Sequence, residues 1–432
     1  MNIEQIFKNG IVGAGGAGFP AHIKLASRPE ILIMNAAECE PLLHKDIQLL
    51  INYPDEVLKG FQTAMDICGA SQGIIGIKQK HQKVIDLLVE KISRSISIKT
   101  IGDFYPAGDE ITLVYLTTNK LIQPGQLPIS VGCLVHNVET FLNIARQKPV
   151  VEKYLTVGGE VTEPLTIKVP VGTSYENVLS HFQITTRNYA IRCGGLMMGT
   201  TEHDLNKVIT KCSNGLIILP TDHHCMIMYD RYSSVSSTTR TAKASCDQCT
   251  FCTDLCPRYL LGYPVRPETA MRNIMFRNES NPLIHNGNIF CCECNLCTFY
   301  SCPESLDPCG AAIDEKRINQ DNKNFWEGLP VTVHPMMEYR KVPTKKLMQR
   351  LDVLKYPDKA PLKELEIEPS LVRIPLKQHF GSPAKPVVKA GQSVNKYQLI
   401  AKSNGNVSAN IHASINGKIK DININEIIIK KI

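Results

Sequence analysis

The sequence predicts a multidomain protein built from α/β and α+β layers, and three observations carry that prediction. Apolar strand-like runs alternate with helical patterns from residue 30 to about 150. Cysteines crowd into 246 to 309, and the last 60 or so residues alternate Val and Ile with Gly, Asn and Ser at short intervals. A chain of 432 residues exceeds what one hydrophobic core usually serves, so domains of roughly 100 to 200 residues each are expected. Hydrophobic residues at 43% and charged residues at 21% exclude a disordered or collagen-like chain. The net charge of +7 comes from dispersed basic residues, apart from short pairs such as Lys345-Lys346 and Lys430-Lys431, so no nucleic-acid partner is expected. No apolar run reaches the roughly 18 to 20 residues of a membrane span, and the start, MNIEQIFKNG, lacks the regions of an export signal. A cytoplasmic protein is therefore expected, with sixteen cysteines serving metal, cluster or redox roles rather than a disulfide framework.

The α/β layer reads as a strand at Ile31 to Met34, helical sequence through Cys68, a strand at Gly73 to Ile77 and a helix from Gln79 to Ile92. Pro54 divides the first helical stretch into two helices meeting near Tyr53. A small β-rich unit follows at Val151 to Leu179, where Gly158-Gly159, Pro164 and Pro170 punctuate β-branched residues. After the cysteines a polar, proline-containing stretch with the lone Trp326 runs to about 370, and the closing residues predict a compact β sandwich.

Cys246, Cys249, Cys252 and Cys256-Pro257 form C-x2-C-x2-C-x3-C-P, the run that wraps a [4Fe-4S] cluster in bacterial ferredoxins. Cys291, Cys294 and Cys297 repeat the x2 spacing, with Cys302-Pro303 following after four residues instead of three. In a two-cluster ferredoxin fold the fourth cysteine of each run serves the other cluster. One cluster then takes Cys246, Cys249, Cys252 and Cys302, and the other Cys291, Cys294, Cys297 and Cys256. Cys292 competes with Cys291, and the choice rests on spacing alone. Zinc ribbons also use C-x2-C pairs, but normally as two plus two thiolates separated by a longer loop. Cys39, Cys68, Cys133, Cys193, Cys212, Cys225 and Cys309 stand apart and read mostly as core residues.

Near the start, Gly13, Gly15 and Gly18 match G-x-G-x-x-G, with Glu38 at the distance of a ribose-binding acid. The preceding Gln5 to Val12 is a poor strand, which disfavours an ordinary Rossmann unit. Glycines ahead of a helix still let backbone N–H groups approach a phosphate, and Lys24 adds positive charge one turn beyond Pro20; a tight turn is the alternative. NAAECEP, from Asn35 to Pro41, closes the first strand with one amide and two carboxylates, and YPAGDE and HNVET add further polar blocks.

Together GAGGAGFPAHIKL, NAAECEP, YPAGDE and HNVET resemble, in order and spacing, the flavin subunit of respiratory complex I. AECEPLLHKD, GGLMMG at Gly194 to Gly199 and the two cysteine runs extend the resemblance over nearly the whole chain to the C subunit of Rnf complexes and its soluble relatives. The resemblance implies FMN held by backbone at Gly13, Ala14, Gly15 and Gly16 and by Lys24, Asn35, Asn137 and Thr140. Glu38, Glu40, Glu110 and Phe19 would face the nicotinamide nucleotide or the flavin. The chain departs from complex I at Ala14, where that family has Arg, and at Ala37, where it has Asp.

The domains implied are an FMN and NADH unit at 1–148, a soluble-ligand-binding β-grasp (SLBB) module with a connecting segment at 149–235, a two-cluster ferredoxin-like domain at 236–325, a linker at 326–370 and a barrel-sandwich hybrid at 371–432. Membrane Rnf C subunits usually carry the sandwich ahead of the flavin domain. A C-terminal sandwich resembles the cobalamin reductases of propanediol-utilisation microcompartments, and also electron-transfer proteins associated with proline reductase. Asn406 falls roughly where a biotinyl or lipoyl carrier has its modified Lys, so the sandwich reads as a structural or docking module. The function implied is oxidation of NADH through FMN and two [4Fe-4S] clusters, with a corrinoid or corrinoid-carrying protein as acceptor, in the cytoplasm or inside a microcompartment among its enzymes and shell proteins. No D-x-H-x-x-G cobalamin motif is present. The rivals are a protein acceptor, as for Rnf C subunits or the proline-reductase proteins, and a non-catalytic iron-sulfur scaffold.

Overall fold

In the computed structural model, which describes residues 1–231, 235–276, 287–319 and 330–432, the first unit is a parallel sheet covered on both faces. Trp326 lies outside the described residues. Helix α1 (Ile3–Lys8) starts at Asn2, whose side chain and that of Gln5 cap each other's backbone. The predicted poor strand before the glycines is thus a helix. After the glycine run and Pro20 come α2 (Ala21–Leu25) and β1 (Ile31–Ala36). Next are α3 (Lys45–Asn52) and α4 (Pro54–Cys68), which meet at Tyr53 as Pro54 dictates. The remaining elements are β2 (Gln72–Lys78), α5 (Gln82–Val89), β3 (Ile96–Ile101), β4 (Phe104–Tyr105), α6 (Glu110–Thr118), β5 (Cys133–Asn137) and α7 (Val138–Arg146). The strand order is β3-β2-β1-β5, so both β1 and β5 end at the same sheet edge. There they present Asn35 and Asn137 side by side.

Helix α4 buries Val57, Phe61, Ala64, Met65 and Cys68, the stripe a 3.6-residue period produces, and stops at Gly69 in the left-handed region (φ 74°). It crosses α7 so closely that Phe61 meets Phe141 edge-on at 4.8 Å and a Cβ on Gly60 would fall 1.9 Å from the Phe141 carbonyl oxygen.

The second sheet holds β6 (Glu152–Gly159), β7 (Leu165–Pro170), β8 (Tyr189–Cys193), β9 (Thr200–Glu202) and β10 (Gly215–Pro220), with α8 (Tyr175–Leu179) packed on it. Its order β7-β6-β10-β8-β9, with the central pair parallel, is the β-grasp arrangement. The cysteine segment is mainly short helices: Phe251–Asp254, Pro257–Leu260, Pro267–Phe276 and Pro308–Ile318.

The stretch expected to be a linker is not one over its described residues, 330–370. β11 (Val342–Pro343) pairs with β4, and Thr344 accepts from Lys78 and donates to Asp103. Leu347, Met348, Leu351 and Val353 are buried in one core with Tyr105, Met197 and Phe299. These apolar positions are obscured in the sequence by the polar residues between them. They strap the flavin, grasp and cysteine units together.

The C-terminal unit is the expected sandwich. Sheet β12-β18-β17-β14 (Leu371–Pro375, Glu426–Lys431, Gly417–Ile422 and Ser393–Val394) faces sheet β13-β15-β16 (Lys385–Pro386, Leu399–Lys402 and Ile411–His412) across Val372, Ile374, Ile400, Ile411, Ile427 and Ile429. No helix among the described residues is long and apolar enough to cross a membrane.

Gly60→Ala is expected to destabilise the flavin unit by about 3 kcal/mol, because the backbone of α7 cannot yield to the added methyl. A lowered urea midpoint of this unit checks it; an unchanged midpoint refutes the close crossing.

Candidate functional site

A cleft of about 760 Å³ opens where the sheet edge meets the glycine run, large enough for a mononucleotide cofactor and part of a dinucleotide. Of the flavin and nucleotide residues singled out in the sequence, all but Ala14 and Thr140 line it. Those two meet just behind, where Ala14 N–H donates to Thr140 Oγ1 at 3.0 Å. The glycine run folds back through Gly13 N–H to Phe19 O (2.9 Å), with Gly16 and Gly18 at φ 120° and 68°. A Cβ on Gly18 would stand 2.5 Å from Cys212 Sγ, and one on Gly15 would press Asn137 at 3.3 Å. The loop is a cradle that side chains would fill.

Beneath it lies a buried ionic network that the sequence did not reveal. Lys153 Nζ donates to Ala14 O (2.9 Å) and to Glu139, whose other oxygen accepts from Tyr154 N–H. Lys45 binds Asp46 at 2.6 Å, and Asp46 accepts from Asn137 Nδ2 at 2.6 Å. Asn137 also caps α7 by accepting from Glu139 N–H. Asn35 donates to Gly108 O and accepts from Ala37 N–H. Both asparagines therefore hold the shape of the wall.

The three expected carboxylates are each engaged by protein. Glu110 binds Lys24 at 2.7 Å, and Lys24 also donates to Val135 O. Glu40 accepts from Met197 and Met198 N–H (2.8 and 2.9 Å), and burial raises its pKa. It thereby holds the GGLMMG loop, whose Gly195 (φ 139°) could carry no Cβ without striking the Glu40 carboxyl. Glu38 accepts from Asp46 and Ile47 N–H at the start of α3, and burial, then the Asp46 charge, push it up to about 7.

Among the described residues, two buried atoms of the cleft's side chains lack a partner in the protein: His136 Nε2 and Asn214 Oδ1. Burial keeps His136 neutral. Such orphaned polar atoms, with the glycine cradle, fit a flavin mononucleotide. His136 lay within HNVET, whereas nothing around Asn214 signalled its arrival from the grasp unit.

The first expected cysteine set, Cys246, Cys249, Cys252 and Cys302, lines one small cavity. Cys256, Cys291, Cys294 and Cys297 form a second group, where burial and the neighbouring Cys292 and Cys291 push Cys256 up. No three His, Cys, Asp or Glu side chains among the described residues are arranged to hold a single ion. Sulfurs of the two runs also lie near one another, Cys252 packing with Cys297 and Cys309, and Cys246 and Cys291 packing against the group that holds Cys302. Two local features relate the second run to the first, one shared and one different. Gln248 and Thr250 flank Cys249 at φ 55° and 67°, and Glu293 and Asn295 flank Cys294 at 57° and 60°, so the backbone register matches Cys291, not Cys292, with Cys246. The extra residue before Cys302 is absorbed by one π turn, Cys297–Ser301, closed by Cys302 N–H to Cys297 O at 3.2 Å.

Several cysteines read as isolated are not. Cys309 is within hydrogen-bond reach of Cys291 and Cys297, and Cys39, Cys193 and Cys212 line the cleft. Cys292 and Cys294 also line it, placing the second cysteine set against the flavin cleft. Tyr105 OH donates to Cys294 O at 2.8 Å, and Arg258, two residues after Cys256, binds Asp109 of YPAGDE through both carboxylate oxygens at 2.8 and 2.9 Å.

Comparison with known proteins agrees with this geometry. The Nuo51 FMN-binding domain matches residues 6–146, a 4Fe-4S dicluster domain residues 245–307 and the RnfC barrel sandwich hybrid domain residues 352–431. An NAD+-reducing [NiFe]-hydrogenase structure shares the fold over 74% of this chain and 62% of its own (TM-score 0.51, 20% identity). Fold and sites together define a flavin and iron-sulfur electron-transfer protein with FMN and two [4Fe-4S] clusters. The C subunit of the Na+-translocating ferredoxin:NAD+ oxidoreductase complex of Acetobacterium woodii is 29% identical over 64% of this chain and 62% of its own. Cobalamin reductase PduS is 37% identical in Salmonella typhimurium (97% of this chain, 94% of the relative) and 36% in Citrobacter freundii. The chain belongs to the PduS cobalamin reductase family.

Replacing Cys249 or Cys294 with Ser is expected to remove one cluster each, about four of about eight irons and sulfides per chain, with flavin retained. Full iron content in either variant refutes the ligand sets. Glu38 keeps a proton in the folded protein that an unfolded Glu, near 4.5, releases, so stability falls as pH rises from 4.5 through about 7. Glu38→Gln is expected to flatten that fall in thermal midpoint; an identical pH profile shows that Glu38 does not titrate there.

Proposed function

We propose that the protein is an NADH-dependent reductase that passes electrons by way of FMN and two [4Fe-4S] clusters to a corrinoid, free or carried by a protein. The observation that carries this reading is the shared wall: Cys292 and Cys294 line the same cleft as the glycine run, while Cys249 of the other set is exposed. A flavin in the cleft supplies the conversion between a two-electron hydride and one-electron carriers. The chain's residues do the arranging. Glu40 and Arg192 both grip the GGLMMG loop at the cleft, the one through the N–H groups of Met197 and Met198 and the other through the carbonyls of Leu196 and Gly199. Lys24 offers a cation at the cleft wall, balanced by Glu110. The inner cysteine set is Cys256, Cys291, Cys294 and Cys297. The outer set reaches the surface at Cys249, so an acceptor need only dock there and no enclosed corrinoid pocket is required.

The corrinoid comes from kinship with cobalamin reductases, which spans nearly the whole chain. The same kinship supports a cytoplasmic place within a bacterial microcompartment, with its enzymes and shell proteins as neighbours. Anaerobic absorbance tests the reading: NADH is expected to bleach the flavin, and added cobalamin to restore its colour while becoming reduced. Cys249→Ser should keep the bleaching and lose the cobalamin step. Cobalamin reduced as fast by cluster-free protein, or a flavin that NADH never bleaches, sinks the proposal.

A further inference from the structure

A further cysteine stands where the inner and outer sets meet. Cys309 is fully buried, and its side chain packs with Cys297 of the inner set and Cys252 of the outer set. It is also within hydrogen-bond reach of two inner sulfurs, those of Cys291 and Cys297. The backbone beneath it is fixed. Cys309 lies in the first turn of the helix Pro308–Ile318, which Asp307 caps by accepting from Gly310 N–H at 2.9 Å. Cys309 N–H donates to Thr298 Oγ1 at 3.0 Å, and that hydroxyl donates to the same Asp307 oxygen at 2.8 Å. Thr298 directly follows Cys297, so the tie runs from Cys309 to the inner run itself.

A side chain placed this firmly against two sulfurs of a set has two ways to act on a cluster. As a thiolate it would be a ligand, but Cys256, Cys291, Cys294 and Cys297 already supply the four thiolates a cubane takes. As a thiol it is a hydrogen-bond donor, and a thiol closed off from water keeps its proton. Hydrogen bonds to the ligand sulfurs are among the levers that set a cluster's potential. A donor stabilises the extra negative charge of the reduced cluster and so raises that potential. Of the two sulfurs in reach, that of Cys297 also shares the packing with Cys309 and Cys252, which makes it the receiver.

We propose that Cys309 is a positioning residue of the inner cluster, binding no iron and donating its S–H to the ligand sulfur of Cys297, so that this cluster accepts an electron more readily than its four ligands alone would allow. The inference rests on the inner ligand set proposed above, and its test needs neither NADH nor cobalamin. Holoprotein carrying Cys249→Ser, which keeps the inner cluster alone, is titrated with dithionite and mediators and followed by electron paramagnetic resonance. Adding Cys309→Ala or Cys309→Val is expected to leave the iron count unchanged and to lower the reduced-to-oxidised ratio about tenfold at a fixed potential, the scale of one lost hydrogen bond to a charged group. For a one-electron centre that is a shift of about 59 mV. Cys309→Ser, which keeps a donor, should hold the potential at or above its starting value. In a Cys294→Ser background, where the outer cluster alone remains, the same substitutions should shift nothing. A potential unmoved by Ala and Val, or lowered as far by Ser, overturns the proposal, as does an equal shift of the outer cluster. Loss of about four irons with all three replacements overturns it by making Cys309 a ligand. If Cys294→Ser keeps full iron, the inner ligand set is wrong and the proposal falls with it, a failure that the iron count alone tells apart.

Discussion

The ion pair between Arg258 and Asp109 fixes how the two redox units meet. Both side chains are largely withdrawn from water, at 9% and 15% exposure, and the guanidinium grips both carboxylate oxygens. Losing one partner of such a pair costs about 3–5 kcal/mol, because the other charge is left buried and uncompensated. Each partner also sits where its position matters elsewhere. Asp109 caps α6 through Thr112 N–H, next to Gly108, whose carbonyl ties to Asn35 at the sheet edge. Arg258 follows Cys256-Pro257 and stands beside Cys292, whose thiol is held below its usual pKa by Cys294 and by this guanidinium. One contact therefore sets the wall of the flavin cleft and the seat of the inner cysteine set together. Asn295 donating to Met197 O adds a second tie, from the cysteine run to the loop that Glu40 holds.

The glycine run depends on a comparable buried network from below. Lys45 and Lys153 stand among Asp46 and Glu139 with almost no solvent access, two cations against two carboxylates. Isolated charges there would be prohibitive, so the set is stable only as a whole. Its product is a fixed Ala14 carbonyl and amide, both already engaged. Ala14 replaces the Arg expected from the resemblance to complex I. The positive charge at this corner comes instead from below, and Lys153 is contributed by the first strand of the grasp unit. The flavin unit is thus completed by its neighbour in the chain.

Features with a local cause were legible in the sequence. Cysteine spacing, the period of α4, Pro54 as a helix boundary and the glycine run each depend on residues within a few positions of one another, and the structure has them. What was missed joins residues far apart in sequence, which leaves no period to read. Lys153 reaches Ala14, Val342 pairs with Tyr105, and Phe380 stacks on Phe19. The polar look of 330–370 hid a strap because its buried Leu347, Met348 and Leu351 are too few to make a pattern. The spacing of the second cysteine run was legible, but its backbone was not. Left-handed residues at Glu293 and Asn295 favour Cys291 over Cys292, and a single π turn absorbs the residue that breaks the repeat.

The position of the sandwich domain has a geometric reason. Resemblance places it ahead of the flavin domain in membrane Rnf C subunits, whereas here it follows the cysteine unit, with the RnfC sandwich matching 352–431. In space, however, it lies against the first residues of the flavin unit. Lys211 Nζ, fully buried, joins Gly10 O to Asn410 O at 2.8 and 2.9 Å, and Asn410 Nδ2 reaches the carbonyls of Phe7 and Lys8. Burial lowers the Lys211 pKa to about 7, so this bridge is held by close carbonyl contacts rather than by an opposing charge. A domain seated beside residues 7–10 can be joined to either end of the remaining chain without moving, the condition under which proteins tolerate permutation. In this chain the seat brings the 378–381 turn onto the glycine run, and that contact requires Gly18, since any side chain there would meet Cys212 and His379.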